Sequence, residues 1–230
     1  MRRLAVLIGL LSAALAVGVT SAGATNECRG LNPCVPVAGP WVVVPAGQAL
    51  PRAQVQYQLT CPRGFVVGGV DVELADRAID VSFLGASGSP VGPAVTTSRV
   101  VVFVASYVGA GARAPSFRPH AGCLPTSGGG QRTPTGVSAT VPPGKPTVRR
   151  VRTVRVRSNA TITVACRADE RLVAAHLARG FFTSAPPGPA LVSSLSATQR
   201  ISGDRVVVTV RARQARGAAV QIAAVCAGGR

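Results

Sequence analysis

Apolar and polar residues alternate one by one in several short runs of this chain. The run at residues 52–61 ends on Cys61, and a matching run at residues 157–166 ends on Cys166. Strict alternation over a short run is typical of a β-strand with one buried face. Glycines and prolines separate the runs, as expected for turns. The pattern predicts an all-β protein built from short antiparallel strands.

The strand pattern occurs twice, which indicates an internal repeat. Residues 66–69 match 172–175, residues 98–104 match 204–210, and the alternation before Cys123 matches the alternation before Cys226. Self-similarity at a long period is typical of a duplicated structural unit. We therefore predict two tandem, disulfide-linked antiparallel β-sandwich-like units at residues 36–124 and 136–230, joined by a Gly/Pro linker at residues 125–135. Immunoglobulin-like domains have a similar size, but the single tryptophan, Trp41, does not lie between paired cysteines.

The repeat also constrains the six cysteines. Within the two units, Cys61 and Cys123 are 62 positions apart, and Cys166 and Cys226 are 60 apart. One disulfide per unit is the economical pairing, and it leaves two cysteines to close an N-terminal loop at residues 25–35. Each long bridge would stabilise the fold by roughly 3–4 kcal/mol. No pair has the spacing of a zinc site, so no metal is expected. The loop cysteines are Cys28 and Cys34.

The N-terminus has the order of a secretory signal peptide. Arg2 and Arg3 precede an apolar run at residues 4–19, and Ala22 and Ala24 provide small residues for cleavage. The run is shorter than the ~20 residues that a membrane-spanning helix needs. We predict a signal peptide at residues 1–24, no transmembrane segment after its removal, and a secreted or envelope-associated location. An even number of cysteines fits that oxidising compartment.

Positive charge is abundant and unevenly distributed. The chain has 25 Lys and Arg against 8 Asp and Glu, a net charge of +17. Residues 36–123 have six arginines against four acids, a net charge of +2, whereas residues 136–230 have 15 cations against three acids, a net charge of +12. Because a composition bias would load both units alike, the difference points to a cationic surface on the second unit.

Strand alternation in the second unit directs arginines away from the buried valines. Guanidinium groups bind phosphate and carboxylate in bidentate fashion, so such a surface suits anionic envelope polymers or anionic surfaces. Specific nucleic-acid binding is not expected, because stacking aromatics are scarce. A solvated arginine surface without a ligand is the alternative. The predicted polyanion-binding residues are Arg149, Arg150, Arg152, Arg155, Arg157, Arg205, Arg211 and Arg213.

The sequence offers little that points to catalysis or to a cofactor. No G-x-S-x-G motif is present, His120 lies on the outward phase of its strand, and His176 lies in an apolar stretch. Four carboxylates close together suggest calcium, but their spacing is not that of a calcium loop, and we expect a solvated strand edge instead. These carboxylates are Asp71, Glu73, Asp76 and Asp80.

The stretch from Cys61-Pro-Arg-Gly64 into the Val/Gly residues at 66–69 resembles secreted Cys-Pro-x-Gly β-repeat proteins of high-GC bacteria. The second unit departs from this motif at residues 166–169. The resemblance implies a secreted, disulfide-linked β-module and carries no function. Together, these observations predict a secreted, non-enzymatic β-module that associates electrostatically with anionic envelope or extracellular polymers. A structural or adhesive surface protein is the main alternative, and a secreted hydrolase is a third.

Overall fold

The computed structural model describes residues 25–31, 33–47, 50–85, 99–111, 115–126 and 147–228. The predicted signal peptide and residues 127–135 of the predicted linker lie outside the described residues. The described chain is almost entirely antiparallel β-structure, which confirms the predicted all-β class. Among its helices, none has the length and apolar character needed to cross a membrane.

Thirteen strands and one short helix make up the described secondary structure. Seven strands form one large sheet. Six of them follow the order β4, β7, β2, β10, β13, β8, and the seventh, β1, pairs with the same edge of β7 as β2. Two further sheets have three strands each, in the orders β3–β6–β5 and β11–β12–β9. The elements are β1 (Val35–Ala38), β2 (Trp41–Val43), β3 (Gln54–Thr60), β4 (Phe65–Leu74), β5 (Ile79–Gly85), β6 (Val100–Tyr107), β7 (Ser116–Pro125), β8 (Thr147–Arg155), β9 (Ala160–Ala165), β10 (Glu170–Phe181), α1 (Pro189–Ser193), β11 (Leu195–Ser202), β12 (Arg205–Ala212) and β13 (Ala218–Gly228).

The seven-stranded sheet contains strands from both predicted units. β2 connects them, because Val42 pairs with Phe117 of β7 on one side while Trp41 pairs with Phe181 of β10 on the other. The prediction of two self-contained tandem sandwiches is therefore not confirmed. One continuous sheet runs through both halves, and each half adds a three-stranded sheet to it.

The two small sheets pack on opposite faces of the large sheet. Neighbouring residues of a strand point to opposite faces, and Val42 belongs to the core cluster formed with β3 and β6, whereas Val43 belongs to the cluster formed with β9 and β12. Phe103 is fully buried in the first core and Ile222 in the second. Both cores therefore use the same central strand.

The two halves share their strand arrangement and their disulfides. In β4 a bulge follows Val67, which lies opposite Cys123, and in β10 a bulge follows Leu172, which lies opposite Cys226. A repeat predicts this correspondence, although the repeat itself stays a prediction. All six cysteines are paired as the spacing predicted. The disulfides are Cys28–Cys34, Cys61–Cys123 and Cys166–Cys226.

The N-terminal loop, of which residues 26–31, 33 and 34 are described, lies on the face of β4 and β7 that points away from the first core. The backbone N–H of Asn26 donates to Asp71 at 2.6 Å. A Cβ at Gly69 or Gly122 would lie within 2.1 Å of the Glu27 carbonyl oxygen, so glycine is required at both positions. The loop also covers His120, which is only 5% exposed although it points away from the core, as its strand phase predicted.

Candidate anion-binding surface

The arginines predicted on β8 do not share one face. Their pairing with β13 directs Arg150 and Arg152 to the side of Ile222 and the second core, and directs Arg149 and Arg155 to the opposite side. Consecutive residues of a strand must diverge in this way. The eight predicted residues therefore fall into several environments rather than one cationic surface.

Arg150 is already neutralised by an acid. Its Nε and Nη2 atoms lie 3.0 and 2.5 Å from the two carboxylate oxygens of Glu170, which also accepts the backbone N–H of Arg167. The hydrogen bonds from Arg150 and Arg167 hold the pKa of Glu170 below its ordinary value. This bidentate pair leaves Arg150 little capacity for an external anion.

Glu170 also belongs to the one metal-like grouping of His, Cys, Asp and Glu side chains in the described part of the chain. Its carboxylate lies within 4.8 Å of the sulfur atoms of Cys166 and Cys226. Those sulfurs form a disulfide with each other, so neither offers the thiolate that binds a metal ion. The grouping therefore does not constitute a metal site.

Arg149 lies between the two halves rather than on the surface. Its Nη1 donates to Oε1 of Gln56 on β3 at 2.7 Å, and its Nε and Nη2 are buried without a hydrogen-bond partner. Burial lowers the pKa of Arg149 from its ordinary value. Arg149 also contributes, after burial itself, to lowering the pKa of nearby His176 to about 4.

Four of the predicted residues come together at one end of the second half. β8 ends at Arg155 and β12 ends at Ala212, and two hydrogen bonds hold the connections close: Ala212 N–H to Asn159 Oδ1 at 3.0 Å, and Val156 N–H to the Ala218 carbonyl at 2.9 Å. Five exposed arginines lie on these connections and strand ends, and we call this group the arginine end. They are Arg155, Arg157, Arg211, Arg213 and Arg216.

Strand alternation places the side chains of Arg155 and Arg211 outward, as predicted, whereas Arg157, Arg213 and Arg216 lie in the connections beyond the strands. Val206, Val208 and Val210 are buried while Arg211 is exposed. Arg216 was missed by the sequence reasoning because it lies in the turn between β12 and β13, where no alternation exists to assign a direction. Its position two residues before β13, near a second cluster of arginines, was the available signal. Arg205 lies at the other end of β12.

Carboxylates are absent from the arginine end in the part of the chain that the structure describes. All eight Asp and Glu residues lie within that part, and Arg118–Glu73 and Arg150–Glu170 are its arginine–carboxylate pairs. The acids of the second half lie at the opposite end, where Asp204 accepts the Leu172 N–H at 3.0 Å. The second half is therefore electrostatically polarised along its strands.

A shallow cavity opens within the arginine end. It has a volume of about 590 Å³ and is lined by Arg157, Arg216 and residues 214, 215 and 217. Gln214 has a φ of 52°, a left-handed backbone conformation that residues other than glycine rarely adopt. Beside the cavity, the guanidinium carbon of Arg155 lies 4.1 Å from the ring centre of Phe182, a cation–π contact that orients the arginine.

The acidic residues of the first half serve separate partners. Asp76 accepts the hydroxyl of Tyr107 at 3.2 Å, whereas an oxygen of Glu73 lies 2.8 Å from His120 Nε2. Asp71 holds the N-terminal loop through a backbone N–H. These three carboxylates thus have separate partners, and among the described residues the four acids do not form a metal-like grouping.

The surroundings of His120 are not those of the general base of a hydrolase. His120 lies between two acids, with Nδ1 at 3.8 Å from Glu27 and Nε2 at 2.8 Å from Glu73. A general base needs one ring nitrogen for a nucleophile, and here carboxylates face both ring nitrogens of His120.

No protein-family model matches this chain, and no match is found among curated proteins or solved structures. The functional argument therefore rests on the arginine end.

Proposed function

We propose that this chain is a secreted, non-enzymatic β-protein that associates electrostatically with anionic polymers of the cell envelope or the extracellular space. The observation that carries this proposal is the arginine end, where five exposed arginines lie at one end of the second half without a carboxylate among the described residues. Guanidinium groups bind phosphate and carboxylate strongly and in bidentate fashion. A polymer that presents such groups repeatedly would contact several arginines at once.

The polarity of the second half favours binding at the end over binding along the sheet. Asp169, Glu170 and Asp204 offset the arginines near the opposite end. At the arginine end no such offset exists, so the positive potential adds up and attracts polyanions before contact. The proposed surface therefore replaces the broader set of eight arginines with Arg155, Arg157, Arg211, Arg213 and Arg216.

The proposal also includes export through the signal peptide at residues 1–24. The pairing of all six cysteines fits an oxidising compartment. Expression of the full chain with its leader should yield a secreted product. N-terminal sequencing of that product should then identify Thr25 as its first residue. A protein that stays in the cell with its leader uncleaved would contradict this part of the proposal.

A heparin column with a salt gradient tests the charge-driven binding. The variant Arg157→Ala/Arg211→Ala/Arg213→Ala/Arg216→Ala should elute at much lower salt than wild type, because each lost contact removes about one unit from the slope of log affinity against log salt. Arg155 is spared because it packs on Phe182. The matched control, Arg63→Ala/Arg167→Ala/Arg171→Ala/Arg205→Ala, removes the same charge from exposed arginines elsewhere.

The control variant should keep the wild-type slope and lose little retention. Equal loss in both quadruple variants would mean that net charge alone drives retention and that the arginine end is no site. Retention that is insensitive to salt would instead favour the second candidate, a structural or adhesive role through protein contacts. That candidate draws support from β8, an outermost strand of the large sheet.

A further inference from the structure

The β10–β13 face that points away from the second core is covered by a strand from the first half. Gln221 on this face accepts the N–H of Gln58 at 2.6 Å and donates to the Gln58 carbonyl at 2.9 Å. Ala178, on the same face, belongs to the first core cluster. The outer edge of β3 therefore covers this face within the chain.

The corresponding face in the first half has a different cover. Counted from Cys123 and Cys226, Arg118 occupies the position of Gln221, and His120 occupies the position of Ala223. Here the N-terminal loop lies on the sheet, with Glu27 over His120. The loop thus occupies the place that the β3 edge occupies in the second half.

The two outermost strands of the large sheet correspond to the two strands that pair with each other in its middle. The strand order β4–β7–β2 is followed by β10–β13–β8, so β4 corresponds to β10 and β8 corresponds to β2. β2 and β10 pair within the chain, whereas β4 and β8 are the outermost strands. Their charges are opposite, since β4 carries Asp71 and Glu73 and β8 carries the exposed Arg152 and Arg155.

We propose that the β4–β7 face beneath the N-terminal loop is a binding surface for a second copy of this chain, and that the loop caps it. In this contact, β8 of the second copy would pair with β4, as β2 pairs with β10 within the chain. The outer edge of its β9 would cover the uncapped β4–β7 face, as the outer edge of β3 covers the β10–β13 face. Such a contact joins two different surfaces, so further copies would add head to tail, into an open chain or a closed ring. The proposal is independent of polyanion binding.

The contacts of the cap fit a cover that can be displaced. Glu27 is 5% exposed, and its Oε2 is buried without a hydrogen-bond partner. Its Oε1 lies 3.8 Å from His120, too far for a hydrogen bond. A buried carboxylate oxygen without a partner lowers the stability of the closed arrangement.

The test removes the cap after the protein has folded. A site for a sequence-specific protease is placed between Cys34 and Val35 and cut in the purified protein, and the molar mass is followed by light scattering against concentration. A second variant, Glu27→Lys, sets a cation against His120 and displaces the loop in an intact chain. Uncut wild type should stay monomeric, and the uncapped forms should show at least a twofold rise in mass that high salt reduces.

A proline on β8 identifies the surface used. Val156 donates its N–H to β13, so alternation turns the N–H of Val151 toward the outer edge, where proline is tolerated. Val151→Pro in the uncapped forms should restore the monomer. Gln199→Pro, on the outer edge of β11, is the matched control and should leave the assembly intact.

Two results would overturn the proposal. One is a chain that stays monomeric after both treatments while its β-sheet circular dichroism is unchanged. The other is an association that Val151→Pro and Gln199→Pro affect equally, because that would be aggregation through no particular edge.

Discussion

The two halves of this protein use one strand arrangement to present different surfaces. Both contain a three-stranded sheet packed on the large sheet, with a disulfide and a bulge at corresponding positions. The first half has four acids against six arginines between residues 36 and 123, and the second half holds the arginine end. The shared arrangement fixes which positions are buried and leaves the charge of the outward positions open.

A second difference concerns what covers the outer face of each half. Gly69 and Gly122 lie under the N-terminal loop, whereas the corresponding positions in the second half are Ala174 and Val225, which have side chains. The loop backbone approaches the sheet too closely for any side chain. Glycine at these two positions is therefore what allows the N-terminal loop to lie on the sheet.

Removing a long disulfide should have the largest effect and should test whether the halves are equivalent. Cys61→Ser/Cys123→Ser and Cys166→Ser/Cys226→Ser should each lower the free energy of unfolding by about 3–4 kcal/mol, because each closes a loop of similar length. Urea unfolding measures both. Removing the short Cys28–Cys34 disulfide should lower the free energy of unfolding by less. A large difference between the effects of the two long disulfides would show that the two halves are not equivalent.

Adding one methyl group under the cap should have an intermediate effect. The new Cβ in Gly122→Ala would lie 2.1 Å from the Glu27 carbonyl oxygen, so the loop must move, at a cost of about 1–3 kcal/mol. Hydrogen exchange of the loop amides should speed up. The control Val225→Ala alters the corresponding position and should leave those amides protected; equal loop exchange in both variants would contradict the close approach.

Just below pH 6.5, the pH dependence should be the smallest effect, and it should be specific to the second half. Burial, with a contribution from Arg149, lowers the pKa of His176 from 6.5 to about 4. The unfolded chain therefore binds more protons between these values, so stability is full above pH 6.5 and falls as the pH drops toward 4. Denaturation midpoints at several pH values should show this fall. His176→Gln should flatten it, and an unchanged slope would contradict the assignment.

Local features of the fold were predictable from the sequence. Alternation before Cys61 and Cys166 predicted β3 and β9, and matched spacing predicted the disulfides. The shared sheet was not predictable, because it depends on β2, a strand of three residues whose pairing with β10 spans most of the chain. Such a short apolar segment has no periodicity of its own.

The candidate site was predictable in part for similar reasons. Alternation gives the direction of a side chain on a strand, and it identified Arg155, Arg157 and Arg211 correctly as exposed. It cannot reveal a partner far away in sequence, such as Gln56 beside Arg149 or the loop that buries His120. Those environments arise from packing between distant segments.

The strand β2 has a consequence for how the molecule comes apart. Val42 and Val43 are neighbours, yet each is buried in a different core. Loss of the first core would pull β2 away from β10 and expose the second, so neither core can melt while the other persists unchanged. We therefore expect the two halves to unfold as one cooperative unit, and we expect that cutting the chain between them would not yield two independent domains.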